Sequence, residues 1–152
     1  MKIIFLDVDG VLNHSKTPEW IGATHNDIID RDCLIELDRI ITFTNAQLVL
    51  SSTWKLNPDK CEKLYTYLAP DIIGATPCLN LRGPRRAEIL DWLQTVWPFS
   101  FGWHDVITHM AVLDDDADAD LGDGSFFKTD FEDGGLTKEI ADKIIIHLGE
   151  VR

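Results

Sequence analysis

The chain has 152 residues, 45% of them apolar and including five Trp and seven Phe, enough for one hydrophobic core in a single domain spanning residues 1–152. Its 26 acidic against 14 basic side chains give a formal charge of −12, which excludes a broad nonspecific nucleic-acid surface built on clustered Lys and Arg. No apolar run is long enough to span a bilayer, and Cys33, Cys61 and Cys78 are odd in number and lack a Cys-x-x-Cys pair, so a disulfide framework or zinc site is not expected; the expectation is a soluble cytoplasmic protein with reduced thiols.

A first strand rich in Ile, Phe and Leu ends at about Leu6 and runs directly into Asp7-Val8-Asp9-Gly10. Residues i and i+2 of an extended segment share a side, so Asp7 and Asp9 address one site, and Gly10 lets the chain turn sharply without a side-chain clash. Two carboxylates forced together repel, which neither a core nor a surface strand gains from; a hard cation such as Mg²⁺ relieves the repulsion and leaves positions open for phosphate. Residues 13–27 read as a polar loop with Trp20, Ile21 and Gly22, a candidate for the small flap that open α/β folds of this kind place over the site, and His14 follows the acidic motif closely enough to touch a substrate.

Asp30 or Asp32 then caps a helix with apolar positions Leu34, Leu37, Ile40 and Ile41. A second short strand, 47–50, ends in Ser51-Ser52-Thr53, hydroxyls suited to a phosphoryl oxygen. Asn57-Pro58 opens a helix through Leu64, Tyr67 and Leu68, with Pro at the first helical position, where its missing N–H is harmless. Ile72-Ile73-Gly74 reads as a short strand. Pro84 opens the next helix behind the basic cluster Arg82, Arg85 and Arg86, and the apolar positions Ile89, Leu90, Trp92, Leu93 and Val96 carry it to near Pro98.

A strand at 110–113 ends in Asp114-Asp115-Asp116, with Asp118, Asp120 and Asp123 behind. The position after a buried strand assigns the first two carboxylates to a metal and the others to solvent. Phe126 to Thr129 reads as a last strand, and Thr137 caps a closing helix with Ile140, Ile144, Ile145 and Leu148 inward. Alternating strands and helices imply a parallel sheet covered on both faces, with the strand ends converging on one edge.

Carboxylates, hydroxyls, guanidinium and carboxylates, in that order and at strand ends, resemble the haloacid dehalogenase-like (HAD) hydrolases from residue 1 to about 146. Phe-Leu-Asp-Val-Asp-Gly-Val-Leu-Asn, Leu-Ser-Ser-Thr-Trp-Lys and Leu-Asp-Asp-Asp are similar, within them, to small phosphatases associated with nucleic-acid repair proteins. The resemblance implies an α/β fold, three-layer α/β/α and Rossmann-like, with a central parallel sheet and no large cap domain. It implies that Asp7 is the nucleophile, Asp9 the general acid and base, Ser51 the second-motif hydroxyl, and Arg85 the third-motif cation with Arg86 its rival. Mg²⁺ would sit between Asp7, the backbone carbonyl of Asp9 and the Asp114–Asp115 pair, with Asp115 the more direct ligand. Ser52, Lys55, Arg86 and His14 are further substrate-binding candidates; Lys55 stands where relatives more often carry Arg, which weakens bidentate phosphate binding there.

The segments between motifs are consumed by core helices, so the site is expected to be open. An open site suits a phosphate at a nucleic-acid end or on a nucleotide, and Trp20, Trp54, Trp103 and His104 are candidate stacking surfaces for a base. No membrane and no obligate protein partner is expected. Three rivals carry the same residue types: a phosphoacceptor receiver domain, whose paired acids are placed differently; a metal-dependent nuclease, which forms no covalent intermediate; and a catalytically idle binding module of a nucleic-acid repair assembly.

Overall fold

Alternation decides the sheet. In β1 (Lys2–Leu6), Ile3 and Phe5 face one side and Ile4 and Leu6 the other, and all four are buried, as a central strand covered on both faces requires. The computed structural model describes residues 1–19, 24, 27–79, 83–97 and 106–149. Around β1 lie β2 (Gln47–Leu50), β3 (Ile72–Ala75), β4 (His109–Asp114) and β5 (Phe126–Lys128), in the order β3-β2-β1-β4-β5, and every pairing is parallel.

Two apolar layers flank the sheet. Ile4 and Leu6, with Leu48, Leu50, Ala111 and Leu113, pack against Leu37 and Ile40 of α1 (Arg31–Thr44), Leu64 and Leu68 of α2 (Pro58–Leu68), and Ile144 and Leu148 of α4 (Lys138–Gly149). Ile3 and Phe5 with Val49 and Val112 pack on the other side against Ile89 of α3 (Arg85–Asp91) and against Trp92, whose ring meets Phe5 edge-on. This is the three-layer α/β/α, Rossmann-like arrangement that the sequence predicts. Among the described residues no helix is long and apolar enough to cross a membrane.

The caps settle the element boundaries. Asp30, not Asp32, caps α1: its Oδ1 accepts from the backbone N–H groups of Asp32 and Cys33. Asn45 ends that helix at φ 54°, and its N–H returns to Ile41. Asn57 caps α2 through Lys60 N, with Pro58 at the first position as expected. Leu64 and Leu68 are buried, whereas Tyr67 faces solvent. The long helix expected from Pro84 to Pro98 is shorter in its α-helical part: after Asp91 the chain widens into a π-helical stretch, Trp92–Val96, where Trp97 N–H reaches back five residues to Trp92. β4 includes Asp114 rather than stopping before it.

The flap residues Trp20, Ile21 and Gly22, the stacking candidates Trp103 and His104, and Arg82 lie outside the described residues.

Candidate active site

Three strands end at the same level. Leu6 is in register with Leu50 on one side and Leu113 on the other. Beyond the strand ends the ladder continues for one more bond each way: Asp7 N–H donates to Leu113 O at 3.0 Å and Ser51 N–H to Leu6 O at 3.0 Å. Asp7, Ser51 and Asp114 therefore come side by side at the carboxyl edge, where open α/β sheets bind their ligands.

Asp7, Asp114 and Asp115 bring carboxylate oxygens within 4.8 Å of one another. Asp7 is 6% and Asp114 1% exposed, so like charges are held close and largely out of water. Burial is the main cause that pushes Asp7 up to about 6, opposed by the Arg85 guanidinium; burial and then the neighbouring Asp7 charge push Asp114 up to about 8. Asp115 is raised as well, first by burial. Asp114 Oδ1 accepts from Asp116 N–H at 2.9 Å, while its buried Oδ2 has no hydrogen-bond partner. An oxygen-only donor set with surplus negative charge and an orphaned buried oxygen fits a hard divalent cation. Both members of the Asp114–Asp115 pair belong to this set, and Asp114 is the more deeply buried.

Gly10 is indispensable to the arrangement. It adopts φ 77°, and a Cβ there would lie 2.1 Å from Asp115 Oδ2. Its carbonyl accepts from Thr129 Oγ1 at 2.7 Å and its N–H donates to Asn13 Oδ1 at 2.9 Å, which ties the first motif to the chain after β5 and to itself. Gly135, at φ 62°, plays a similar part at the rim, where a Cβ would approach Val11 O to 2.7 Å.

Among the described residues, Arg85 brings a guanidinium to this edge. Its Nη1 donates to Ser51 O and its Nε lies 3.9 Å from Asp114 Oδ2, while Arg86 is exposed to solvent. The N-terminus of α3 that carries Arg85 has no side-chain cap from Pro84; Asp118 Oδ2 accepts from Arg85 N–H at 3.1 Å in its place. Asp118 is thus not simply solvated. Asp116, Asp120 and Asp123 turn back on backbone N–H groups two residues on, those of Asp118, Gly122 and Ser125, which is how Asp shapes tight turns. The Ser52 hydroxyl favours the ionised form of Asp7, and its Oγ accepts from Trp54 N–H at 3.2 Å; Ser51 Oγ is buried and without a hydrogen-bond partner.

Two substrate-contact candidates are occupied elsewhere. Lys55 Nζ donates to Thr76 Oγ1 at 2.8 Å, Pro77 O at 3.3 Å and Glu88 Oε2 at 2.9 Å, which uses all three of its protons on a side chain 8% exposed. Because Glu88 sits one helical turn after Arg85, Lys55 anchors the helix that presents the guanidinium instead of offering its own charge. His14 Nδ1 accepts from Lys16 N–H at 3.2 Å, so Nε2 carries the proton and faces Asp30 Oδ2 at 3.2 Å. It ties the loop after the first motif to the start of α1. Trp54, a stacking candidate, is 1% exposed with Lys60 Nζ 4.9 Å from its ring centre, so it presents no free face to a base.

The sequence reading missed what surrounds Asp9. Asn13 Nδ2 donates to Asp9 Oδ1 at 2.9 Å and the Trp54 indole N–H donates to the same oxygen at 3.1 Å. Asn13 stood within the first motif and was the legible half of this pair; the indole comes from 45 positions further along the chain.

The family model of the HAD domain in Swiss Army Knife RNA repair proteins matches residues 3–141. Among curated proteins and among solved structures, none matches the chain.

Proposed function

The chain belongs to the HAD domain family of Swiss Army Knife RNA repair proteins, and from that premise we propose that it is a Mg²⁺-dependent phosphatase that cleaves a phosphate monoester, on a nucleic-acid end or a nucleotide, through an aspartyl phosphate on Asp7. The observation that carries this reading is the convergence of Asp7, Asp114 and Asp115 within 4.8 Å beside Arg85 at the carboxyl edge of the sheet. Mg²⁺ held by Asp7, the Asp9 carbonyl and the Asp114–Asp115 pair would offset carboxylate repulsion and draw charge from the phosphoryl oxygens.

The chain's own groups do the rest. Arg85 favours the ionised form of Asp7 and offsets charge on the phosphoryl group. Ser52 favours the ionised form of Asp7, and Ser51 offers a buried hydroxyl not committed to another group. A carboxylate oxygen of Asp7 attacks phosphorus as the bond to the leaving oxygen breaks, and Asp9 gives that oxygen its proton. Asp9, now ionised, takes a proton from water, the water oxygen attacks phosphorus, and phosphate leaves with Asp7 restored. The family's association with RNA repair favours a phosphorylated RNA end as substrate.

Phosphate release from 3′- and 5′-phosphorylated oligonucleotides, nucleoside monophosphates and an aryl phosphate, with Mg²⁺ or with EDTA, tests this. Oligonucleotide turnover that disappears in EDTA and falls at least about a thousandfold in Asp7→Asn is the expected result. Turnover of mononucleotides alone makes the protein a nucleotidase, and turnover undiminished in Asp7→Asn removes the covalent mechanism.

A further inference from the structure

Asp9 has a demanding task in the proposed reaction, since it must deliver a proton to one oxygen and then collect one from another without losing its place. Its carboxyl group is held on one side only. Asn13 Nδ2 at 2.9 Å and Trp54 Nε1 at 3.1 Å both donate to Oδ1, and among the described residues these are the hydrogen bonds that Asp9 accepts from side chains. Neither donor can reverse its role. An indole N–H never accepts, and Asn13 is fixed in orientation because its Oδ1 takes the Gly10 N–H at 2.9 Å.

We propose that Trp54 and Asn13 are positioning residues for the acid–base step: by holding Oδ1 of Asp9 as an acceptor in both of its protonation states, they confine the transferred proton to Oδ2. The inference rests on the phosphatase reading and specifies which groups besides the reacting carboxylates make its proton transfer efficient.

The surroundings of the two donors are built for this. Trp54 is 1% and Asn13 0% exposed, so water does not compete for the Asp9 oxygen from their side. Trp54 stands between the second motif and Asp9: its backbone N–H is accepted by Ser52 Oγ at 3.2 Å and its indole reaches Asp9. The 3₁₀ turn Thr53–Leu56 that places this residue follows immediately from the Ser52 cap. Lys60 Nζ lies over the ring, 4.9 Å from its centre, and helps hold the indole plane in place. A Trp at the second residue after the serine pair therefore serves the acid without touching substrate. Proton transfer by a placed group contributes about a hundredfold or more, and that contribution depends on the group's orientation.

A general acid matters most for a poor leaving group, which separates positioning from structural support. The test is kcat/KM for benzyl phosphate and for 4-nitrophenyl phosphate in wild type and Trp54→Phe with Mg²⁺. The expected result is a loss of about tenfold or more on benzyl phosphate and less than about threefold on 4-nitrophenyl phosphate. Asn13→Asp keeps the acceptor for Gly10 but replaces the donor to Asp9, and it is read in the same way, so a folding defect in one variant leaves the other decisive. Equal losses on both esters in the variant that folds, while wild-type turnover still depends on Asp7, would overturn the inference and leave the phosphatase reading intact. Wild-type protein that turns over neither ester, no nucleoside monophosphate and no phosphorylated oligonucleotide would overturn both.

Discussion

Among the described residues, two clusters gather potential metal ligands within the same short reach. Asp7, Asp114 and Asp115 meet at the carboxyl edge of the sheet, and His14, Asp30 and Cys33 meet where the first loop joins α1; in each set the ligand atoms lie within 4.8 Å of one another. Their internal accounts differ. In the second cluster His14 donates to Asp30, Thr17 Oγ1 donates to Asp30 at 3.0 Å, the α1 N-terminus takes the other Asp30 oxygen, and the Cys33 thiol points at Gly134 O at 3.5 Å. Burial and the Asp30 charge push that thiol up to about 12, so it stays protonated. In the first cluster three carboxyl groups crowd together, their proton affinities raised, and a buried oxygen has no hydrogen-bond partner. Proximity of donors therefore does not distinguish a ligand site from a structural tie. Unbalanced charge and unmet hydrogen-bonding capacity do.

The comparison is sharpest where a cation is involved. Arg85→Ala removes the charge that opposes the raised proton affinity of Asp7, and is expected to lower kcat/KM about a hundredfold or more with the fold retained. Arg86→Ala, on the solvent side of the same turn, is expected to stay within about threefold. Steady-state turnover of an aryl phosphate measures both, and equal losses would show that the sheet edge does not select between the two guanidinium groups.

The second cluster responds in stability instead. Asp30→Ala strips the cap from α1 and leaves Thr17 and His14 without their acceptor, an expected cost of about 2–3 kcal/mol in a urea titration. Turnover per folded molecule is expected to change little. A large loss of turnover at unchanged stability would make that cluster part of the site after all.

What the sequence made legible followed from local rules. The strands could be read because Ile3 to Leu6, Leu48 to Leu50 and Ala111 to Leu113 are apolar on both faces, and strand ends deliver Asp7, Ser51 and Asp114 to one edge by register alone. Caps at Asn57 and Thr137 were visible because the capping partner lies three residues away, at Lys60 and Ile140. What escaped was every decision made by a distant partner. Lys55 looked like a substrate contact until Glu88, 33 residues on, took its charge. His14 followed the first motif closely, yet Asp30 claimed it. Asp118 was assigned to solvent, but the Pro that precedes α3 supplies no side-chain cap, and the helix takes one from this acid across the fold.

The smallest expected effect tests the charge imbalance itself, without any substrate. Carboxyls ordinarily near 3.8 are raised to about 6 at Asp7 and about 8 at Asp114 in the folded, metal-free chain. Between about pH 4 and pH 8 the unfolded chain has therefore released protons that the folded chain still holds, so stability falls as pH rises through that window and levels off above it. Asp123, an exposed carboxyl lowered by its bonds to Ser125, acts with the opposite sign but only at more acid pH, where its folded form resists protonation. The melting temperature in EDTA is expected to drop by about 3 °C or more from pH 5 to pH 8. Asp114→Asn, which keeps Oδ1 for Asp116 N–H but cannot ionise, should flatten that drop, whereas Asp30→Ala should lower the whole curve and keep its slope. Mg²⁺ competes with protons for the same oxygens, so its stabilisation should be larger at pH 8 than at pH 5. A melting temperature that rises from pH 5 to pH 8 in EDTA would mean that the carboxyls at the sheet edge are as well balanced as those around Asp30, and the distinction between the two clusters would fail.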